Sequence, residues 1–504
     1  MKILLIGNET RDTDLRASIL AKNLKYEKNG LLAMPLPDTI DDGIYHTSVV
    51  DIHPGDLIKV SNNFDRIILA DQNIKSYPHY KTFVTTVRFF IDLENNKTNV
   101  TFKENKNVQS YLQWKKFLTH NKSFCFYPFL ALIDNWQDTT ICPKNFVPID
   151  KIGHTSEWQT NKKYIEIRNN MAQGIQMPER CHDCYDRENE GQESTRQFET
   201  LEWTQRLGLN SVDDFFKITN PVYYEIRPSS TCNIMCRTCD DFHSTLIEKE
   251  WKKINIPLVT EKLGNYRNTS FDIINFDTLE RIYVGGGEPT IMPEFYSFLQ
   301  KCIAQGKTSF ELNIGTNGMF FSKKLISLLD NFTDVCFSFS YDGYGKVNDY
   351  IRWKSDFDTI VQNGRMLRDR GHKIALQTVF SMYSITRIHE VFEFFDQEYL
   401  GSGLLVQVAG GFDNIFMPYN HPRPDLVVQS MIQCQKTKIY YMNGRSIKSM
   451  VDLLLDYYSN PNYKCDPVML EKFYSINDKL DISRKSNLID YIPELAEARH
   501  LYNL

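Results

Sequence analysis

The sequence predicts an α/β protein built around an open, partial barrel of six strand–helix units. Three observations predict it. Six short apolar runs, VYYEIRP, RIYVGGG, FELNIGT, VCFSFSYD, IALQTVFS and LLVQVAG, recur between residues 216 and 415. Helical patterns such as STLIEKEWKKI, PEFYSFLQKCIAQ, SKKLISLLDNF and FDTIVQNGRMLRDRG separate them, an alternation that gives a parallel sheet with right-handed crossovers. The loops CNIMCRTC, GGGEPT, GTNG and YDGYG each follow one of the strands. Six units are too few to close an eight-stranded barrel, so a partial (β/α)6 TIM-like barrel is expected, with functional groups at its C-terminal strand ends.

The flanking segments read as follows. Residues 1–120 alternate short apolar runs (KILLIG, DRIILAD, TTVRFFIDL) with polar stretches, as an α/β domain does. The first strand is not followed by a Gly-rich phosphate loop, which argues against a dinucleotide site. DIHPGDL at 51–57 reads as a Pro-Gly turn. Residues 121–215 are polar, cysteine-rich and short of apolar periodicity, so their order is expected to depend on something other than a large core. Residues 416–504 read as mostly helical and suggest no function.

The 504 residues, 42% hydrophobic and 24% charged, suit several globular domains. A net charge of −5 gives no basic footprint for nucleic acid or an anionic membrane surface. The opening MKILLIGNETRD lacks a cleavage pattern, and no stretch approaches the roughly 18 apolar residues of a membrane span. A cytoplasmic protein is expected. In that reducing compartment clustered cysteines mean metal or catalysis rather than disulfides.

Seven of the eleven cysteines fall in two groups, while Cys302, Cys336, Cys434 and Cys465 read as scattered structural residues. Cys232, Cys236 and Cys239 form C-x3-C-x2-C. A structural zinc takes four ligands, commonly as two C-x2-C pairs, and the nearest fourth candidate here is His243. A four-iron cluster suits the triplet better. Thiolates hold three irons and the fourth stays open for an exogenous ligand.

This loop resembles the radical S-adenosylmethionine (radical SAM) superfamily, whose C-x3-C-x2-C follows the first barrel strand. Thr238 stands where the family usually has an aromatic or hydrophobic residue. The resemblance implies a [4Fe–4S] cluster whose open iron chelates S-adenosylmethionine, and whose electron cleaves it to methionine and a 5′-deoxyadenosyl radical. Gly285, Gly286, Gly287, Glu288 and Pro289 look like the family's Gly-Gly-Glu-Pro motif for the methionine amino group. Glycines permit close backbone approach, and a carboxylate accepts from an ammonium. Thr316 and Asn317 lie in GTNG after the third strand. Ser340 and Asp342 follow the fourth, in a segment that resembles the ribose contact, although Asp342 reads equally as a turn-forming Asp-Gly. Arg352, in NDYIRW, matches an arginine that pairs with the methionine carboxylate, a bidentate task suited to a guanidinium.

Cys125, Cys142, Cys181 and Cys184 make a complete second set, and spacing alone leaves iron–sulfur and zinc both open. The segment resembles twitch/SPASM auxiliary-cluster modules, placed here before the core and without their hairpin glycine. Its end matches C-x2-C-x3-E-x2-G-x2-S-x-R, with Cys181, Cys184, Glu188, Gly191, Ser194 and Arg196 in those places. That implies a second, auxiliary [4Fe–4S] cluster, used for electron transfer or support.

The expected domains are 1–120, an α/β domain; 121–215, the auxiliary-cluster module; 216–415, the radical SAM core; and 416–504, a helical region. The resemblance implies an enzyme that abstracts hydrogen from an unactivated carbon of a peptide or protein, with flavodoxin or ferredoxin as electron donor. Modification of a small metabolite is the alternative. A non-enzymatic, metal-stabilised scaffold would leave GGGEPT and the other strand-end loops without a purpose.

Overall fold

A computed structural model describes residues 3–6, 44–47, 66–69, 100–101, 106–135, 138–143, 155–189, 193–259, 270–399, 403–410, 414–442 and 445–502. The chain divides into two compact units, Met1–Phe129 with Ile165–Thr219, and Leu130–Tyr164 with Asn220–Leu504. The 121–215 segment is therefore shared between them. Cys125, Cys181 and Cys184 fall in the first unit and Cys142 in the second.

The first unit carries a parallel four-stranded sheet in the order β2-β1-β3-β4, with β1 Ile3–Ile6, β2 Ile44–Thr47, β3 Arg66–Leu69 and β4 Val100–Thr101. KILLIG and DRIILAD thus form strands, whereas TTVRFFIDL and DIHPGDL lie outside the described residues. The polar segment beyond residue 121 does have a core, and it is aromatic. Trp114, Phe124, Phe129 and Phe215 meet at ring-centroid distances of 5.1 to 5.8 Å. Phe215 comes from 86 positions beyond Phe129, and the other three share no helical or strand period, so no local pattern announces the core.

The second unit holds β5 (Ala131–Asn135), β6 (Asp138–Thr140), β7 (Tyr223–Ile226), β8 (Met235–Cys236), β9 (Arg281–Val284), β10 (Glu311–Thr316), β11 (Val335–Ser340), β12 (Arg352–Trp353), β13 (Lys373–Phe380) and β14 (Leu404–Val408). Eight of them form one sheet in the order β14-β13-β11-β10-β9-β7-β5-β6. The six expected strands lie side by side in chain order, all parallel. Beside β7 the sheet gains β5, parallel, and β6, antiparallel, so the DNWQDTT hairpin joins the main sheet.

Burial alternates along β11 and β13, as a sheet covered on one face requires. Val335, Phe337 and Phe339 are buried, while Cys336, Ser338 and Ser340 on the other face are half-buried. Helix Pro293–Ala304 starts at a proline and buries Phe295, Phe298, Leu299 and Cys302. The C-terminal region is helical, with helices Pro424–Cys434, Arg445–Ser459 and Pro467–Arg484 among its elements. Leu470, Phe473 and Tyr474 share a core with Tyr350, Ile351, Met382 and Tyr383, so the last long helix packs where β11 and β13 end. Among the described residues no helix is long and apolar enough to cross a membrane.

Candidate active site

Beyond β7 the chain turns through residues 227–234 into β8, which pairs antiparallel with β12. Arg352 stands opposite Cys236 and Trp353 opposite Met235. The ladder continues as Arg237 N–H donates to Ile351 O at 2.7 Å. Directly opposed residues have Cβ atoms about 5 Å apart, so this pairing itself sets Arg352 against the middle cysteine. Past β12, Lys354 takes a left-handed φ of 73° and Ser355 N–H returns to Arg352 O at 2.8 Å. Cys239 N–H donates to Cys236 O at 3.3 Å, folding the third cysteine back toward the second.

The three thiols act on one another electrostatically. Burial, then Cys236 and Glu288, push Cys232 up to about 12, while Arg352 pulls it down. Burial likewise raises Cys236 against the opposing pull of Arg352, and raises Cys239 strongly. Thiols so disposed stay protonated until a metal claims them as thiolates.

The GGGEPT loop lies along the backbone that leads to Cys232. Gly285 N–H donates to Ile226 O, Gly287 N–H to Ser229 O and Glu288 N–H to Thr231 O, at 2.8 to 2.9 Å. Gly286 has φ +111°, and a Cβ there would meet Ser229 O at 2.5 Å; one on Gly287 would meet Thr231 O at 2.2 Å. The close approach these glycines permit is therefore, first of all, that of the cysteine loop.

Glu288 is fully buried and accepts from four donors. Thr290 N, Thr290 Oγ1 and Thr316 Oγ1 donate to Oε1 at 3.1, 2.7 and 2.8 Å, and Asn317 N donates to Oε2 at 2.7 Å. Burial nonetheless raises its pKa above the ordinary value. Pro289 opens a short 3₁₀ turn, Pro289–Ile291. Asn317 Nδ2 donates to Asn233 Oδ1 at 2.7 Å and lies 3.9 Å from Cys232 Sγ. The second, third and first strand-end loops thus form one hydrogen-bonded assembly.

Asp342 serves Arg352. Arg352 NH1 donates to Asp342 Oδ2 at 2.7 Å, and Val379 N donates to Asp342 Oδ1 at 3.2 Å. Burial disfavours the charged guanidinium, but Cys236 and Asp342 outweigh it and hold the pKa above the ordinary value. Arg352 Nε is buried without a hydrogen-bond partner. Ser340 ends β11 half-buried, in register with Gln377.

His243, the rival fourth ligand, places Nδ1 2.6 Å from Asp240 Oδ1. Among the described residues no three Cys, His, Asp or Glu side chains converge on a single ion-sized point.

In the first unit, Cys181 and Cys184 occupy helix Pro178–Asn189, and burial, followed by Cys184, pushes Cys181 up to about 11. Arg196 takes Glu188 through Nε and NH2 at 2.9 and 2.6 Å, and Ser194 Oγ donates to the same carboxylate. The guanidinium also donates to the carbonyls of Leu118, Asn121 and Phe124, the last directly before Cys125. These motif residues therefore tie the helix of Cys181 and Cys184 to the segment entering Cys125; Gly191 lies outside the described residues. In the second unit the backbone carbonyl of Cys142 accepts from Thr140 Oγ1 at 3.2 Å.

Sequence reasoning missed the β8–β12 ladder and Arg237. Arg237 lies inside the three-cysteine motif and is 1% exposed, yet its carboxylate partner stands 244 positions away. No local signal marks it.

Residues 226–395 match the family described as the Radical SAM superfamily. The match covers 170 of the 504 residues, the stretch that carries the three-cysteine loop and the motif-bearing strand ends. An uncharacterized protein of Methanothermobacter thermautotrophicus is 32% identical over 114 residues, which cover 22% of this chain and 43% of that protein. The matched region thus spans less than half the length of that relative. Native anSMEcpe with bound AdoMet matches 43% of this chain and 60% of its own at 15% identity, with a TM-score of 0.31. Streptococcus suis SuiB bound to S-adenosylmethionine matches 69% of this chain and 68% of its own at 13% identity, with a TM-score of 0.28.

Proposed function

We propose that the protein, with residues 226–395 as its radical SAM domain, is a radical SAM enzyme that modifies a peptide or protein, with Cys232, Cys236 and Cys239 as the ligands of its first cluster. The [4Fe–4S] cluster and S-adenosylmethionine, when bound, supply the one-electron chemistry that removes a hydrogen atom from an unactivated carbon. The observation that carries this reading is the β8–β12 ladder, which sets a buried guanidinium with an orphaned Nε against the middle of three cysteines.

The residues fit the group. An orphaned buried donor is costly unless something completes it, and a carboxylate such as that of S-adenosylmethionine suits a guanidinium whose other side is held by Asp342. Glu288 Oε2 carries one donor and accepts a second, from an ammonium. Asn317, Ser340 and the Gly285–Gly287 backbone border the same strand ends and are the proposed further contacts.

The six parallel strands, side by side in chain order, are proposed to curl into a partial barrel. Of the four-cysteine set, Cys125, Cys181 and Cys184 lie in the first unit and are proposed to bind an auxiliary [4Fe–4S] cluster; Cys142, the fourth of that set, lies in the second. The peptide substrate rests on the resemblance of residues 121–215 to auxiliary-cluster modules. A flavodoxin or ferredoxin donor and a cytoplasmic location complete the proposal.

Anaerobic reconstitution tests it. About eight irons per chain are expected for two clusters, with 5′-deoxyadenosine formed from S-adenosylmethionine and a reductant. Cysteine-bound zinc and no 5′-deoxyadenosine would overturn it.

A further inference from the structure

Helix Pro467–Arg484 belongs to the segment for which the sequence suggests no function, yet it holds the three-cysteine loop from both sides. Arg237, between the second and third cysteines, donates from Nε to Tyr350 O at 2.9 Å and stacks 3.6 Å over the Tyr350 ring. Its NH1 donates to Asn477 Oδ1 at 3.1 Å, and its NH2 to Asp481 Oδ1 at 2.6 Å and Ser486 Oγ at 2.8 Å. Asp481 also accepts from Tyr350 Oη and Leu488 N, and Tyr383 Oη donates to Asn477. After the loop, Glu250 accepts from Arg484 through Nε and NH2 at 3.0 and 2.7 Å, and from Ser483 Oγ at 3.0 Å. Leu480 and Ile476 pack with Met235, Cys239, Trp251 and Trp353.

Neighbours on an extended segment point to opposite sides. Anchoring Arg237 on one side therefore aims Cys236 to the other, toward Arg352. We propose that helix Pro467–Arg484 is part of the cluster site and that Arg237 is a positioning residue, which fixes Cys236 by tying the loop to Asp481 and Asn477. The proposal rests on the reading of Cys232, Cys236 and Cys239 as cluster ligands.

The test uses the full chain carrying Cys181→Ala and Cys184→Ala, so that bound iron reports on the three-cysteine loop. Arg237→Gln is expected to release iron to a chelator several-fold faster and to shift the electron paramagnetic resonance g-values of the reduced cluster. Arg237→Lys keeps the charge pair and is expected to recover part of both. Arg237→Met combined with Asp481→Leu removes both charges, so no buried ion is orphaned, and circular dichroism checks its fold. A folded double variant with the parent's iron retention and g-values overturns the proposal, as does Arg237→Lys behaving no better than Arg237→Gln. If the parent takes up no iron, the ligand reading itself fails, and this inference with it.

Discussion

Two buried arginines stand beside the two groups of cysteines, and they are held in opposite ways. Arg196, in the first unit, finds its carboxylate eight positions back, in Glu188. Arg237, in the second, finds Asp481 244 positions ahead. Each is 1% exposed and each fixes the segment that carries a cysteine. The first takes its carboxylate locally, from the preceding helix, while its remaining donors reach carbonyls 72 to 78 positions back. The second exists only once distant segments have met, so it makes the three-cysteine loop depend on the end of the chain.

The sharpest way to break this comparison is to remove the cysteines themselves. Replacing Cys232, Cys236 and Cys239 by alanine is expected to abolish 5′-deoxyadenosine formation. Cys181→Ala with Cys184→Ala should leave it in place while removing about four irons. Equal loss in both variants, measured by chromatography of the nucleoside product, would erase the distinction between the two groups.

Next in size is the effect of Arg196. Arg196→Ala strands the Glu188 carboxylate, whose side chain is 9% exposed, and three carbonyls, at a cost of about 3–5 kcal/mol. Chemical denaturation measures the cost. Iron held by the three-cysteine loop should be unchanged, because that loop has its own anchor.

Glycines sharpen the contrast further. Gly287→Ala drives a Cβ into Thr231 O and should cost about 3 kcal/mol. Gly208→Ala, at a left-handed helix end with nothing within 4 Å, should cost only about 1 kcal/mol. Melting curves of the two variants give the comparison directly.

Acid acts on the second unit through His421. Burial holds His421 neutral and lowers its pKa to about 3, whereas His120 and His182 in the first unit are exposed. A depressed histidine contributes fully above its unfolded pKa near 6.5, and that contribution is lost as pH falls toward 3, at up to about 1.4 kcal/mol per pH unit. His421→Asn, whose amide oxygen can accept from Arg423 N as His421 Nδ1 does, should flatten that slope in urea melts between pH 7 and 4.

What could be read in advance follows the same local-versus-distant divide. Short apolar runs separated by helical patterns made all six central strands legible, and the motif-bearing loops stand at their C-terminal ends. The Glu188, Ser194 and Arg196 pattern was legible because its partners are neighbours in sequence. The pairing of β5 with β7 was not, since a strand's own period does not name the strand beside it. Asp342 read equally as a turn residue or a cofactor contact, because its partner Arg352 is defined by β12, a two-residue strand with no pattern of its own. Arg237 resembled any loop arginine for the same reason.

The tie between Arg237 and the last long helix sets a timetable. During synthesis the three-cysteine loop leaves the ribosome well before its anchors do, since Ser486 lies 249 residues further on. At translation speeds of 5–20 residues per second, that interval is roughly 12–50 s. Throughout it the thiols are exposed on an untethered segment, open to stray oxidation and to competing metals. The proposed cluster can take its final geometry only after those anchors have emerged, and a chain truncated before residue 481 would leave all three thiols without the clamp that aims them.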